Sequence, residues 1–491
     1  MPTLTIHRGS QTASVTFTGP EKLSALLDRA GYSPAHPCGG RGVCGKCAVM
    51  LTGSISASNA AEERCGTRLS CQAVVLGDAE VILPLSHAMA QIEGGSRRTL
   101  IPGHTMPGHY GAAIDIGTTT LALQLYDLHT GHCLAGSAML NPQTSAAADV
   151  IGRIDAALHG GAEHLRTRLE AALEALLHTA AAQANIAAGE VESLVVTGNT
   201  TMLYLLTGRS PESLSHAPFA ADCLFGAMRT LLGRCCYLPP CLHAFVGADT
   251  TCALLASGML DNDETALLCD IGTNGEIALW HKGQLYIAST AAGPAFEGAG
   301  ISCGCGSIPG AIDRVDVTDE QLHVHTIAEE APVGLCGSGL ADAIASLLKL
   351  EVIDETGAME DDDYLLAPGV TLKQQDVRAV QLAKAAIAAG TESLLHAAGC
   401  SAGEVQTMYL AGGFGSHLNI GNAAAIGLIL PALADKVQVI GNAALDGAAM
   451  LLTDTTLRGK LNAMQQSAQH VRLDGNPYFS QRYVEQMLFA E

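Results

Sequence analysis

The chain has 491 residues and carries 26 basic against 48 acidic side chains, for a net charge of −22 at neutral pH. This length allows two to four domains with separate cores, and the negative charge argues against nucleic acid or an anionic membrane surface as a partner. We find neither a signal sequence nor an uncharged apolar run of about 18 residues, which predicts a soluble, cytoplasmic protein. Sixteen cysteines in such a chain favour metal binding where they cluster and ordinary burial where they are scattered.

Residues 1–85 are predicted to form a small domain with a four-cysteine metal site. Alternating residues at 4–8 and 14–18 predict a β-hairpin, and apolar spacing at 21–30 predicts a helix. A glycine-rich loop then holds three cysteines in C-x5-C-x2-C spacing, and a fourth cysteine lies further along the chain. The four candidate ligands are Cys38, Cys44, Cys47 and Cys71.

The spacing of these cysteines is closely related to that of plant-type [2Fe–2S] proteins, in which C-x4-C-x2-C is followed by a distant cysteine. A zinc site is the alternative, although zinc ribbons prefer two C-x2-C pairs and the second half here contributes a single cysteine. Cys65 competes with Cys71 for the fourth position. We favour Cys71, because Leu69 and the apolar strand after Gln72 would anchor it.

Residues 86–110 show no clear period and are punctuated by glycine and proline, which predicts a flexible linker. Such a linker would allow an N-terminal redox domain to move between an electron donor and an acceptor.

Two Asp-x-Gly-Thr turns dominate the rest of the chain. One begins at Asp115 and the other at Asp270, and each lies between two apolar strands. Such turns offer backbone N–H groups and hydroxyls to phosphate, with an acid at the edge. Two copies predict a duplicated fold that closes on one nucleotide, with lobe I at 111–258 and lobe II at 259–491. The candidate nucleotide contacts are Gly117, Thr118, Thr119, Thr120, Gly272, Thr273, Asn274, Gly275 and Glu276.

Further candidates follow predicted strands or begin predicted helices. The polar residues 197–201 follow a strand, and ligand contact and helix capping are equally open for them. Asp249 begins an apolar helix, where it either caps the helix or acts as a general base that orients water toward a γ-phosphate. Cys303 and Cys305 lie in a glycine-dense loop, where metal binding is disfavoured because no second cysteine pair lies near in sequence.

Two more glycine-rich segments are expected to face the nucleotide. One opens a helix whose N-terminus would face phosphate or ribose, and the other follows a strand and would admit adenine or ribose, with a simple tight turn as the alternative. These residues are Gly337, Ser338 and Gly339 in the first segment, and Gly412, Gly413, Phe414 and Gly415 in the second. A long helix at 377–396 is predicted to pack between the lobes.

In this order, the motifs resemble the actin, sugar-kinase and heat-shock-chaperone ATPase superfamily. The two Asp-x-Gly-Thr turns match its phosphate loops, and residues 411–415 match its adenosine loop. With the cysteine-rich domain ahead of them, nearly the whole chain resembles the reductive activators of corrinoid proteins, which are ferredoxin-fused ATPases that reset cobalamin-dependent methyltransferase systems. The linker runs straight into the first turn, so we expect a short form that lacks the middle domain of longer members.

The resemblance implies an α/β, two-lobed actin-like ATPase fold behind a small α+β plant-type [2Fe–2S] ferredoxin domain. It implies a [2Fe–2S] cluster, ATP and Mg²⁺ as cofactors, with Asp115, Asp249 and Asp270 around Mg²⁺ and the attacking water. The implied activity is ATP-dependent electron transfer to the Co(II) corrinoid of a methyltransferase-system corrinoid protein, which regenerates Co(I). An external low-potential electron donor would be needed, and a homodimer is allowed.

Two alternatives share the fold. An activator of a radical dehydratase also couples ATP to low-potential electron transfer, but it carries a [4Fe–4S] cluster between subunits and lacks an N-terminal ferredoxin domain. A small-molecule kinase with a fused iron–sulfur domain would phosphorylate its substrate without a protein partner.

Overall fold

The computed structural model describes residues 1–8, 11–32, 40, 42, 47–83 and 98–489. Within these ranges the N-terminal domain is a mixed sheet with two helices. Its elements are β1 (Thr3–Arg8), β2 (Gln11–Thr16), β3 (Glu21–Lys22), α1 (Leu23–Arg29), β4 (Ala48–Ile55), α2 (Ala60–Cys65), β5 (Arg68–Leu69) and β6 (Val74–Ile82). The predicted hairpin is β1 with β2, and β6 pairs in parallel with β1 and antiparallel to β4. Apolar residues of α1 pack on this sheet, and Leu23, Leu26 and Leu27 are fully buried.

The second half of the predicted linker is anchored to the two large lobes that follow it. Residues 84–97 lie outside the described residues. From residue 98 onward, Met106 is buried in a core between the lobes and its N–H donates to Leu452 O at 3.0 Å. The N–H of Gly103 likewise donates to Thr453 O at 3.0 Å. The expected flexibility therefore does not extend through residues 98–110.

The first lobe is built on a six-stranded sheet. Its elements are β7 (Tyr110–Ile116), β8 (Thr120–Asp127), β9 (Cys133–Leu140), α3 (Val150–Ala156), α4 (Ala162–Gln183), β10 (Val191–Gly198), α5 (Thr200–Thr207), α6 (Glu212–Ser215), β11 (Ala227–Leu231), β12 (Arg234–Leu238) and α7 (Ala248–Ser257). The strand order is β11-β12-β10-β7-β8-β9. Strands β7, β8 and β9 form an antiparallel meander, whereas β10 is parallel to β7.

The second lobe is built on another six-stranded sheet, with smaller sheets beside it. Its strands are β13 (Ala266–Ile271), β14 (Gly275–His281), β15 (Gln284–Thr290), β16 (Ala311–Thr318), β17 (Gln321–Thr326), β18 (Gly334–Leu335), β19 (Asp363–Ala367), β20 (Val370–Lys373), β21 (Thr407–Ala411), β22 (Val437–Gly441) and β23 (Gln469–His470). Its helices are α8 (Gly337–Lys349), α9 (Gln374–Ala398), α10 (Ile420–Ala425), α11 (Ala443–Thr453), α12 (Arg458–Ser467) and α13 (Pro477–Glu485).

The two large sheets repeat one pattern, as the duplicated turns predict. The second has the order β22-β21-β13-β14-β15-β23, with β13, β14 and β15 as its meander and β21 parallel to β13. Strands β7 and β13 therefore hold equivalent central positions. Each has an acid as its next-to-last residue, Asp115 in β7 and Asp270 in β13, and open α/β sheets bind ligands at the carboxyl ends of such strands. The predicted two-lobed α/β fold is confirmed.

Helices α7 and α11 pack together between the sheets. A side chain at Gly447 in α11 would place its Cβ only 2.0 Å from Cys252 O in α7, so the close approach requires glycine. Helix α11 also packs against β7 and β10 of the first lobe. The prediction for 377–396 is wrong in its placement, because α9 lies on β14 and β15 within the second lobe. No helix of the described chain is long and apolar enough to cross a membrane.

Candidate functional site

A cleft of about 390 Å³ lies where the carboxyl ends of the two sheets meet. Most of the residues predicted to contact nucleotide line it, although they come from segments far apart in the chain. They are Asp115, Gly117, Thr118, Thr119, Thr120, Asp249, Asp270, Gly272, Thr273, Asn274, Glu276, Gly337, Ser338, Gly412, Gly413 and Phe414.

Three predicted glycines lie outside this lining and serve packing instead. A Cβ at Gly275 would be 2.7 Å from Thr290 Oγ1, one at Gly339 would be 2.0 Å from Ile312 O, and one at Gly415 would be 2.8 Å from Leu410 Cγ. Each glycine lets two parts of the backbone or core approach closely. Glycine density alone does not distinguish space for a ligand from space for a neighbouring strand.

The first phosphate loop, residues 117–120 after β7, is held from below by two buried polar side chains. Arg153 in α3 is fully buried and donates to the carbonyl of Thr118. Asn141 Nδ2 donates to Gly117 O at 2.8 Å, and its backbone N–H donates to Thr119 O at 2.8 Å. Burial lowers the pKa of Arg153 to about 10, so the guanidinium stays charged at neutral pH. The loop carbonyls are therefore occupied, which leaves the opposite side of the loop for a ligand.

A second loop, residues 272–274 between β13 and β14, is a tight turn. The N–H of Gly272 donates to Asn274 O at 3.0 Å, and the N–H of Gly293 donates to Thr273 O at 2.9 Å.

Glu297 links the two phosphate loops. Its Oε2 accepts a 2.5 Å hydrogen bond from Thr119 Oγ1, and its Oε1 accepts a 2.7 Å hydrogen bond from Thr273 Oγ1. One carboxylate thus holds a hydroxyl from each lobe. Each hydrogen bond to a charged acceptor contributes about 1.5–3 kcal/mol to stability. Glu297 therefore stabilises the observed separation of the two loops.

Two asparagines that follow strands also support the first loop. Asn199, after β10, caps α5 with its Oδ1 and donates from Nδ2 to Thr118 Oγ1 at 3.1 Å. Asn442, after β22, caps α11 in the same way and donates from Nδ2 to Asp115 Oδ2 at 3.1 Å. Both asparagines follow a glycine and begin a helix, so a strand, Gly-Asn and helix unit occurs at two places around the cleft. For residues 197–201, Asn199 caps a helix and also lines the cleft, and contact with a ligand stays a prediction.

The carboxylates at the bottom of the cleft repel one another. Burial and the charge of Asp249 raise the pKa of Asp115 to about 7, and burial with Asp249 and Glu297 raises that of Asp270 to about 7. Burial raises the pKa of Asp249 to about 6, and that of Glu276 is raised by burial and by Asp249 and Asp270. A divalent cation would relieve this repulsion, because carboxylate oxygens are the ligands that Mg²⁺ uses together with substrate phosphates.

The predicted adenosine loop approaches the carboxylates closely. Gly412 has φ of +87°, and a Cβ there would be 2.4 Å from Asp270 Oδ1. The ring of Phe414 stacks on Phe296 with centroids 4.9 Å apart. Gly337 lies beside the Phe414 ring and the Phe296 backbone, since its Cβ would be 2.9 Å from Phe414 Cδ2 and 1.9 Å from Phe296 O. Gly337 begins the 13-residue helix α8, whose N-terminus has no side-chain cap and lines the cleft. The free N–H groups of such a helix end can bind an anion such as phosphate.

The structure describes two of the four predicted cluster ligands. The sulfurs of Cys47 and Cys71 are 3.3 Å apart, and both residues are buried. Two thiolates on one tetrahedral metal at about 2.3 Å are about 3.7 Å apart, so these sulfurs fit one iron. Gln72 Nε2 donates to Gly40 O at 2.6 Å, which ties the predicted cysteine loop to the Cys71 segment. Cys38 and Cys44 lie outside the described residues, as does the side chain of Cys65, the last residue of α2.

Sequence reasoning missed several residues that line or support the cleft. Glu297 and Asn442 line it, as do Cys305 and Ser307, whereas Arg153 supports it from behind. The Gly-Asn pair at 441–442, which repeats the pair at 198–199, was a usable signal for Asn442. Glu297 lies in the longest glycine-dense loop, but nothing local pairs it with Thr119.

Comparisons with known proteins agree with this architecture. Family models described as "2Fe-2S iron-sulfur cluster binding domain", "RACo middle region" and "C-terminal domain of RACo the ASKHA domain" match residues 6–76, 110–262 and 264–491. The chain is 35% identical over 423 residues to the "Corrinoid activation enzyme RamQ" of Eubacterium limosum, covering 78% of this chain and 70% of that protein.

The chain belongs to the family of reductive activators of corrinoid proteins. It is also 28% identical over 380 residues to the "[Co(II) methylated amine-specific corrinoid protein] reductase" of Methanosarcina barkeri, covering 68% of each chain. The solved structure of a "Reductive activator for corrinoid,iron-sulfur protein" shares the fold, with a TM-score of 0.72 and 24% identity over 100% of this chain and 98% of that one.

One prediction from the resemblance is wrong. The expected short form without a middle domain is contradicted by the match of the family's middle region to residues 110–262. This region is nearly the same segment as the predicted lobe I. The middle region is therefore not an extra domain before lobe I, since it contains the sheet with the first phosphate loop. The match to the middle region ends at residue 262 and the match to the C-terminal domain begins at residue 264, close to the predicted limit at 258. The domain limits themselves stay predictions.

Proposed function

We propose that this protein is an ATP-dependent reductive activator that delivers a low-potential electron to the Co(II) corrinoid of a methyltransferase-system corrinoid protein and restores Co(I). The observation that carries the proposal is the acidic cleft between two phosphate loops in a chain that also has a [2Fe–2S] domain. The names of its two relatives, a corrinoid activation enzyme and a Co(II) corrinoid protein reductase, support the choice of partner.

In this proposal, the cleft residues bind and hydrolyse ATP. Asp115 and Asp270 would anchor Mg²⁺ near the ends of the two equivalent strands, and the N–H groups of residues 117–120 and 273–274 would hold the phosphates. Asp249 orients the attacking water from the first turn of α7, where its Oδ1 already accepts from Thr250 N at 2.7 Å. Phe414 and its neighbouring glycines hold the adenosine.

ATP is needed because the electron must move uphill. A plant-type [2Fe–2S] cluster held by Cys38, Cys44, Cys47 and Cys71 would supply single electrons at about −400 mV, which is too weak to maintain Co(I). A one-electron gap of 59 mV corresponds to about 1.4 kcal/mol, so ATP can close a gap of several hundred millivolts. Closure of the lobes would couple the two processes by changing the affinity for the corrinoid protein or the ligation of its cobalt.

A reduction assay tests the proposal. Protein that has been reduced and freed of excess reductant is mixed with a Co(II) methylated amine-specific corrinoid protein, and the Co(I) absorption is followed. We expect reduction only with both ATP and Mg²⁺. Asp249→Asn should bind ATP without supporting reduction, and Cys71→Ala should hydrolyse ATP without reducing cobalt.

Two results would overturn the proposal. One is full cobalt reduction without nucleotide. The other is ATP-dependent phosphorylation of a small molecule with no response to any corrinoid protein, which would favour the kinase alternative. An external electron donor and a homodimer are further parts of the proposal, and electron transfer from a reduced ferredoxin and sedimentation of the intact protein test them separately.

A further inference from the structure

Outside the nucleotide cleft, three side chains that can bind a metal ion meet at one end of the second large sheet. His281 is the last residue of β14, Cys400 follows α9, and Glu404 ends a short 3₁₀ turn. One ligand atom from each residue lies within 4.8 Å of the other two. His281 is 4% exposed and Cys400 is 8% exposed, whereas Glu404 is exposed. The group is therefore buried on two sides and open at its carboxylate.

His281 has a nitrogen with no partner among the described residues. Its Nδ1 forms a 2.9 Å hydrogen bond with Thr265 Oγ1, and its Nε2 is buried without a hydrogen bond. A buried polar atom left unpaired destabilises the folded protein, and a bound metal ion would supply the missing partner. If Nδ1 donates its proton to Thr265, Nε2 carries a lone pair. Histidine ligands of metal ions are typically held in this way, by a hydrogen bond from the other ring nitrogen.

The other two side chains keep an atom free for a ligand. Glu404 accepts hydrogen bonds from Ser401 N and Ser401 Oγ through Oε2, at 2.8 and 2.9 Å, which leaves Oε1 available. The thiol of Cys400 lies 3.3 Å from Ser401 O, and a metal ion would replace its proton. The positive charge of Lys282 acts to lower the pKa of both Cys400 and Glu404. It is exposed, so its ammonium can turn toward solvent.

The chemistry of this donor set selects the metal. Imidazole nitrogen, thiolate sulfur and carboxylate oxygen are the ligands of zinc, whereas Mg²⁺ and Ca²⁺ take oxygen ligands. Ligands on a tetrahedral zinc are about 3.3 to 3.8 Å apart, given bonds of about 2.0 to 2.3 Å, so small side-chain rotations would complete the site. A thiolate and a carboxylate together balance the charge of a divalent cation. Three protein ligands leave the fourth position to water at the exposed side of Glu404.

We propose that His281, Cys400 and Glu404 form a zinc site in the second lobe, separate from the nucleotide cleft and from the iron–sulfur cluster. The zinc joins the end of β14 to the segment after α9, which are 119 positions apart in the sequence. Its effect is to fix the position of α9 on the sheet and to stabilise this lobe. The proposal does not depend on the corrinoid-reducing activity.

Metal analysis of the full-length, cluster-loaded protein tests this site. The protein is incubated with ZnCl₂, desalted, and analysed for zinc and iron together. We expect one zinc per chain with unchanged iron, and a higher melting temperature than in the zinc-free protein. By calorimetric titration, Cys400→Ser and Glu404→Gln should weaken zinc binding by at least about 10- to 100-fold, since even the loss of a residue behind a ligand costs that much. Thr265→Val should weaken it by about 10-fold.

A second histidine and aspartate group provides the matched control. His109, Asp127 and His129 also come within metal-binding distance in the first lobe, but both histidines are exposed. His129→Ala should bind zinc as the wild type does. Failure of the wild type to retain zinc, retention in Cys400→Ser, loss in His129→Ala, or loss of iron as zinc binds would each overturn the proposal. Glu404 is exposed, so its substitution tests the site even if His281→Ala does not fold.

Discussion

Thr119 Oγ1 donates a 2.5 Å hydrogen bond to Glu297 Oε2, which joins a hydroxyl of the first phosphate loop to a carboxylate of the second lobe. Since Thr273 donates to the same carboxylate, Glu297 holds one hydroxyl from each of the two loops. Loops that are already positioned lower the entropic cost of bringing the binding groups together for the reaction.

Removing the hydroxyl of Thr119 should therefore impair catalysis. We expect Thr119→Val to lower kcat/KM for ATP by about 10- to 100-fold, because one hydrogen bond to a charged acceptor contributes about 1.5–3 kcal/mol. Thr119→Ser keeps the hydroxyl and should remain close to the wild type. Steady-state ATPase assays measure both variants, with melting temperatures as a check on folding. Equal activity in Thr119→Val and wild type would exclude a role for the link.

The three aspartates of the cleft should differ in what they contribute. We expect Asp115→Asn, Asp249→Asn and Asp270→Asn each to reduce ATP hydrolysis by about 100-fold or more, because each removes a metal anchor or a base. Asp249→Asn should retain nucleotide binding better than Asp115→Asn, since a group that orients water acts mainly in the transition state. Hydrolysis rates and ATP binding by calorimetry separate the two effects. Normal hydrolysis in all three variants would refute the assignment of the cleft.

The fourth cluster ligand can be decided by substitution. The 3.3 Å separation of the Cys47 and Cys71 sulfurs predicts that Cys71→Ala loses or alters the [2Fe–2S] cluster, as Cys47→Ala should. Cys65→Ala should keep two irons per chain. Iron analysis and the visible spectrum measure both outcomes. Cluster loss in Cys65→Ala with retention in Cys71→Ala would reverse the assignment.

The raised pKa of Asp115 predicts a pH-dependent stability of the protein without nucleotide or Mg²⁺. Its ordinary value is 3.8 and its value in the cleft is about 7, so the folded state binds more protons than the unfolded state between these values. The contribution of Asp115 to stability therefore decreases as pH rises through this window and is constant above it. Asp115→Asn lacks this titration, and its melting temperature should rise relative to the wild type from pH 5 to pH 8. A constant difference would contradict the assigned protonation.

The same titration should affect Mg²⁺ in the opposite direction. The metal binds the ionised carboxylates, so its affinity in the presence of ATP should increase as pH rises toward 7. Calorimetric titration of the ATP-bound protein with MgCl₂ at pH 5 and at pH 8 measures this dependence.

The sequence by itself determined the features that depend on short segments. An apolar strand followed by Asp-x-Gly-Thr fixes the local turn, and its two copies indicated the repeated sheets around β7 and β13. The spacing of Cys38, Cys44 and Cys47 likewise indicated an iron–sulfur domain, because ligands in one loop reach one cluster through local geometry. These patterns were sufficient for the fold class and for the two phosphate loops of the cleft.

Only the tertiary structure decided the contacts between distant segments. Thr119 meets Glu297 across 178 positions, and Asp115 meets Asn442 across 327. The placement of α9 within the second lobe, the anchoring of Met106, and the packing roles of Gly275, Gly339 and Gly415 have the same origin. Sheet order and helix packing set such contacts, and local periodicity encodes which face of an element is buried but not which distant element covers it.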